Sequence, residues 1–112
     1  MTNTAPQWNT ITHELMALAA ERKTADPTTS YTAQLLQGDE NALLKKLLEE
    51  AGETALAAKD GNHAQLCAEL ADLWFHCFIV MSRYNVGLEE VATVLSKRRN
   101  VSGLAEKASR TT

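Results

Sequence analysis

Apolar residues recur at helical spacing through most of this chain, and the periodic segments are separated by short polar stretches rich in turn formers. Over residues 10–23, Ile11, Leu15, Leu18 and Ala19 share one face, and Thr10 is suited to cap the helix they predict. Pro27 breaks the pattern. Thr28-Thr29-Ser30 then supplies a polar loop in which Ser30 can cap a short helix over 31–37, ended by Gly38. A longer helix starts near Asp39 or Asn41 and runs to Lys59, with Leu44, Leu47, Leu48, Ala51, Ala55 and Ala58 on an expected core arc of about 100°. Asp60-Gly61-Asn62 reads as a bend, the glycine suited to a left-handed helix end and Asn62 to capping the helix that follows. That helix covers 63–84 and ends at Asn85-Val86-Gly87. A fifth covers 88–99, with Val91, Val94 and Leu95 expected inward. Residues 1–7 and 100–112 read as tails, with Trp8 able to pack against the body.

The helix over 63–84 is the least ordinary. From Leu70 to Met81 it is apolar almost all round, so most of its circumference is expected to be buried. At about 100° per residue, Gln65, Glu69, Asp72, His76 and Arg83 nevertheless form one narrow polar stripe. Because the other faces are too apolar for water, the stripe points to a site rather than to solvent.

The preceding helix supplies a matching pattern. Glu50-x-x-Glu53 and Glu69-x-x-Asp72 each place two acids on one helix face, and a helix hairpin can set the pairs opposite each other. Four converging carboxylates repel and raise one another's pKa values unless something positive sits among them. Oxygen ligands of this kind suit a hard cation, Mg²⁺ or alternatively Mn²⁺. The plainer reading for Glu49, Glu50 and Glu53 is a solvated helix face, with Lys45 and Lys46 as i, i+4 partners of Glu49 and Glu50, each pair worth a few tenths of a kcal/mol. It weakens because Glu50 borders the expected core arc and a second acidic pair follows. His76 has two readings as well: a substrate contact one turn beyond Asp72, or a buried neutral histidine bonded to a neighbour.

Composition narrows the class. At 112 residues the chain fits one all-α domain, small enough that burial is marginal without a partner. A homodimer would cover the apolar helix by completing a four-helix core. A net charge of −3 gives no basic surface for nucleic acid. No segment is expected to reach the ~18 apolar residues needed to span a membrane, and the N-terminus lacks the basic-then-apolar run of a signal peptide, which makes a cytoplasmic location the default. Cys67 and Cys77 match neither a metal nor a redox motif and are expected to be reduced packing residues.

Glu-x-x-Glu followed after 15 residues by Glu-x-x-Asp resembles the signature of the all-α NTP pyrophosphohydrolase (MazG-like) superfamily. Within it, five ordered segments between Ile11 and Arg110 resemble the phosphoribosyl-ATP pyrophosphatases. They are Ser30-Tyr31-Thr32-Ala33; Lys45-Lys46 leading into Glu49-Glu50-Ala51-x-Glu53; Ala57-Ala58-Lys59-Asp60-Gly61; Ala71-Asp72-Leu73-Trp74-Phe75-His76; and Ser102-Gly103-x-x-Glu106-Lys107. Leu48, where the family usually has glycine, and Gly52, inside the first acidic pair, depart from its pattern; Gly52 offers room for close helix approach.

The resemblance implies hydrolysis of phosphoribosyl-ATP to phosphoribosyl-AMP and pyrophosphate, the second step of histidine biosynthesis, with a nucleotide substrate and Mg²⁺. Glu50, Glu53, Glu69 and Asp72 are then the expected metal ligands, and Glu49 or Glu50 the residue that activates water. Ser30, Tyr31, Thr32, Lys46, Lys59, His76, Arg98 and Arg99 are the expected substrate contacts. Without the resemblance, Ser30 reads as a cap, Tyr31 as a half-buried ring, and Arg98 and Arg99 as complements of a helix dipole. Two alternatives stay open, a house-cleaning nucleoside triphosphate pyrophosphohydrolase and a non-catalytic helical interaction module.

Overall fold

A computed structural model describes residues 5–99 and 103–110. Among them the chain forms helices α1 (Trp8–Arg22), α2 (Tyr31–Gln37), α3 (Glu40–Asp60), α4 (His63–Arg83), α5 (Leu88–Arg98) and α6 (Gly103–Ser109). The architecture is all-α. The first four residues of the expected N-terminal tail lie outside the described residues, as do Ser102 and the side chain of Glu106. The expected C-terminal tail contains α6.

Local chemistry sets most boundaries. Ser30 Oγ accepts from the Ala33 amide at 3.1 Å, Asp39 caps α3 through the Asn41 amide, and Asn62 Oδ1 accepts from the Gln65 amide at 3.0 Å. Gly61 takes φ 76°, the left-handed conformation that ends α3 and turns the chain into α4. At Gly38 a Cβ would stand 2.7 Å from the Gln34 carbonyl oxygen, so only glycine fits the end of α2. Thr10 does not cap α1, which begins two residues earlier after Gln7, with no side-chain cap.

The α4 helix is the centre of the fold, packed against α1, α2 and, most extensively, α3. A core of Ala19, Leu35, Leu36, Leu43 and Ile79, with Phe75 and Val80 against it, gathers where α1 and α2 meet the N-terminal end of α3 and the C-terminal half of α4. Arg83, the last residue of the polar stripe, ties this end together. Its guanidinium donates to the carbonyls of Leu35 at 2.9 Å and Gly38 at 2.8 Å, satisfying the C-terminus of α2. Contrary to the expectation, α4 is long and apolar enough to cross a membrane by length and composition alone; here it packs against α1, α2 and α3, with much of its surface left uncovered.

The inward face of α3 differs from the expected one. Leu43 and Ala57 are buried and Leu47, Glu50 and Thr54 half-buried, whereas Leu48, Ala51, Ala55 and Ala58 are exposed. The face is rotated by roughly 90° because two polar residues, Glu50 and Thr54, take part in the helix contact; counting apolar residues alone points the helix the wrong way. Other apolar positions also stay uncovered in one chain. Leu48 is 74 % exposed, Leu56 68 % and Leu95 62 %. Val91 and Val94, expected inward, are exposed, and in α1 Ile11 and Leu18 are exposed while Thr12 is buried. Cys67 is exposed rather than packed; Cys77 is half-buried, and burial pushes its thiol pKa up.

Within one chain Gly52 serves no close helix approach. A Cβ there would meet nothing within 4 Å. Gly52→Ala is therefore expected to stabilise the fold by up to about 1 kcal/mol through helix propensity, read as a raised melting temperature with unchanged helicity. A lowered melting temperature would show that some contact needs the glycine.

Candidate metal and active site

The α3–α4 hairpin brings the two acidic segments face to face. One carboxylate oxygen each from Glu50, Glu69 and Asp72 lie within 4.8 Å of one another, with Glu50 and Glu69 half-buried and Asp72 exposed. Glu53, one turn along α3, has its carboxyl beside that of Glu69. Glu50 Oε2 and Glu69 Oε2 are both buried without a hydrogen-bond partner. Two orphaned carboxylate oxygens in a cluster of this spacing fit a divalent, oxygen-seeking cation, since buried acceptors are otherwise paired.

Crowding shows in the protonation energetics. The Glu69 carboxyl is pushed above its ordinary range, first by desolvation, then by the neighbouring Glu53 carboxyl and the charge of Asp72. A hydrogen bond from Gln65, at 3.3 Å, works the other way. His76 is buried, bonded through Nδ1 to the Asp72 carbonyl at 2.8 Å, and its buried Nε2 has no partner. Thr54, which the apolar periodicity does not single out, stands between the pairs, its hydroxyl 2.8 Å from the Glu50 carbonyl and 3.2 Å from that of Glu69. Its signal in the sequence is only that it follows Glu50 by one helical turn.

The remaining expected residues stand elsewhere. Glu49 pairs with Lys46 at 3.8 Å and Lys45 at 4.0 Å, on the outer flank of α3. Lys59 is exposed one residue before the end of α3. Ser30 caps α2, and Tyr31 and Thr32 occupy its first turn, Tyr31 being half exposed. Arg98 and Arg99 lie exposed at the end of α5. That helix lines an apolar groove of about 670 Å³ with Trp8, Trp74, Phe78 and Met81. These α4 residues lie more than about 100° around the helix from Glu69 and Asp72, so within one chain the two arginines are off the acidic face.

Comparison with known proteins identifies the family. Residues 12–99 match the family described as phosphoribosyl-ATP pyrophosphohydrolase. The chain belongs to this family. It is 50 % identical to the phosphoribosyl-ATP pyrophosphatase of Neisseria gonorrhoeae, over 81 % of this chain and 85 % of that protein. The namesake proteins of Nitrosomonas eutropha and Methylococcus capsulatus are 45 % and 43 % identical, over 91 % and 89 % of this chain and 87 % and 95 % of theirs. In this member of the pyrophosphohydrolase family, all four acids and the hairpin that pairs them lie inside the matched region, whereas α6 lies beyond it.

The raised pKa of Glu69 makes metal-free stability depend on pH. Folded Glu69 holds its proton more tightly than unfolded Glu69, so its contribution is most favourable below the ordinary value of 4.5 and is lost as pH rises through the folded pKa. With a chelator present, Glu69→Gln is therefore expected to melt above the unsubstituted protein at neutral pH, the gap closing as pH falls toward 4.5. Thermal melts across that range check this, and a gap of constant size would contradict it.

Proposed function

We propose that this protein hydrolyses phosphoribosyl-ATP to phosphoribosyl-AMP and pyrophosphate in histidine biosynthesis, as a Mg²⁺-dependent cytoplasmic homodimer. The observation that carries the chemical part is the trio of Glu50, Glu69 and Asp72 oxygens within 4.8 Å, two of the residues having orphaned buried oxygens. Membership of the pyrophosphohydrolase family and the shared name of its relatives support the substrate.

Glu50, Glu69 and Asp72, with Glu53 alongside, would hold the cation. Mg²⁺ held by these residues would supply positive charge to neutralise the triphosphate and the charge that develops on its oxygens. Hydrolysis adds one water across the bond between the α-phosphorus and the bridging oxygen, so that pyrophosphate leaves. Glu49 or Glu50 orients that water and takes its proton. Lys46, one turn before Glu50, would meet phosphate oxygens; Lys59, on the side of α3 opposite Glu50, would do so only through the arrangement of two chains. Ser30, Tyr31, Thr32 and His76 contact the rest of the nucleotide.

Burial supports the second copy. Leu48, Leu56 and Leu95 remain more than three-fifths exposed, and covering each would contribute about 1–2 kcal/mol. Another α3–α4 pair against them completes a four-helix core. In such an assembly Arg98 and Arg99 reach phosphate only through the arrangement of the two chains. A single-chain mass in sedimentation equilibrium would remove this part of the proposal.

Incubating the protein with phosphoribosyl-ATP and with a panel of deoxynucleoside triphosphates, with and without Mg²⁺, tests the whole. Mg²⁺-dependent pyrophosphate release from phosphoribosyl-ATP is expected, with little from the panel. Preference for the panel would favour the house-cleaning alternative, and no release from any substrate would favour a non-catalytic module. Asp72→Asn and Glu53→Gln are each expected to lower kcat by at least about a hundredfold while the melting temperature stays level or rises. Full turnover in both would remove the metal-site assignment.

A further inference from the structure

The hydroxyl of Thr54 has a position that neither helix propensity nor apolar packing explains. Thr54 lies on the face of α3 that meets α4, one turn beyond Glu50 and adjacent to Glu53. Its 2.8 Å contact with the Glu50 carbonyl is the local bond that threonine commonly makes within a helix. The 3.2 Å contact with the Glu69 carbonyl is of another kind, a link between helices across fifteen residues of chain. A hydroxyl carries a single hydrogen, so one proton serves two carbonyl oxygens. Those carbonyls belong to Glu50 and Glu69, the residues whose buried carboxylate oxygens have no partner.

Packing alone sets the α3–α4 separation poorly at this level. The buried apolar cluster sits at the other end of the hairpin, around Leu43 and Ile79, and beyond Thr54 the next buried residue of α3 is the small Ala57. We propose that Thr54 is a positioning residue for the metal centre, its hydroxyl fixing the distance between α3 and α4 where Glu50 and Glu69 face each other. This rests on the reading of the acidic cluster as a divalent-cation site. Mg²⁺ requires near-octahedral geometry at about 2.0–2.1 Å, whereas Ca²⁺ accepts longer and less regular contacts, so a change in helix separation costs Mg²⁺ more. Valine keeps the shape of threonine but puts a methyl group against the Glu69 carbonyl. Carbon-to-oxygen contacts prefer about 3.3–3.6 Å, which pushes the helices apart.

Direct cation binding tests this independently of turnover. Metal-free full-length protein is titrated with Mn²⁺ while the free ion is followed by electron paramagnetic resonance, with Mg²⁺ and Ca²⁺ measured by competition. Thr54→Val and Thr54→Ala are expected to weaken Mn²⁺ binding about tenfold, in the range of changes to groups that hold metal ligands in place. The loss should be larger for Mg²⁺ than for Ca²⁺, and Thr54→Ser should restore binding close to that of the unsubstituted protein. Circular dichroism of each metal-free variant establishes that it is folded, and alanine, a strong helix former, covers the case in which valine is poorly accommodated. Unchanged affinity in folded Val and Ala variants overturns the inference while leaving the metal site standing. A serine variant as weak as valine overturns the role of the hydroxyl. Absence of Mn²⁺ binding by the unsubstituted protein overturns the metal site and this inference together.

Discussion

Mutual repulsion among carboxylates held between two helices is the constraint around which this molecule is arranged. Glu50, Glu69 and Asp72 come within 4.8 Å in a setting where two of their oxygens are buried and unpartnered. Such a cluster opposes folding unless protons or a cation offset it. The rest of the chain supplies the rigidity that keeps it together. Gly61 and Asn62 close the hairpin at one end, and at the other the core around Leu43 and Ile79, with Arg83 holding the C-terminus of α2, anchors both long helices. The acidic group therefore lies between two fixed ends, on regular helix rather than on a loop, where ligand geometry is best preserved.

The α4 helix resolves an apparent conflict in its own sequence by dividing its circumference. Phe75 and Ile79 pack toward α1 and α2, the Glu69–Asp72–His76 stripe faces α3, and Trp74, Phe78 and Met81 line the groove shared with α1 and α5. The first face is covered inside one chain, and the second keeps Glu69 Oε2 and His76 Nε2 buried without partners. The third is not fully covered, and together with exposed Leu48 and Leu56 on α3 it leaves the apolar surface that the proposed second copy would cover.

Element boundaries and the paired acids were legible in the sequence because their signals are local. A cap, a glycine or an i, i+3 spacing needs no knowledge of the partner helix, and Ser30, Gly61, Asn62 and the acids behave as that logic requires. The face of α3 was not legible. Its contact with α4 is made by Glu50 and Thr54 as much as by leucines, and no apolar count identifies a polar residue whose partner lies fifteen residues away. Arg83 gave a related difficulty, since it shares the acidic stripe by periodicity yet bonds to carbonyls of α2 and no acid. The N-terminus of α1, which starts without a side-chain cap, offered nothing for Thr10 or any other residue to signal.

The most direct measurement is a crystal structure of the protein grown with Mn²⁺, with data collected near the manganese absorption edge. The account predicts an anomalous peak between α3 and α4, within about 2.0–2.6 Å of carboxylate oxygens from both Glu50 and the Glu69–Asp72 pair. Manganese bound only away from these side chains, or Glu50 turned away from Glu69 and Asp72 in the metal-loaded crystal, would contradict it.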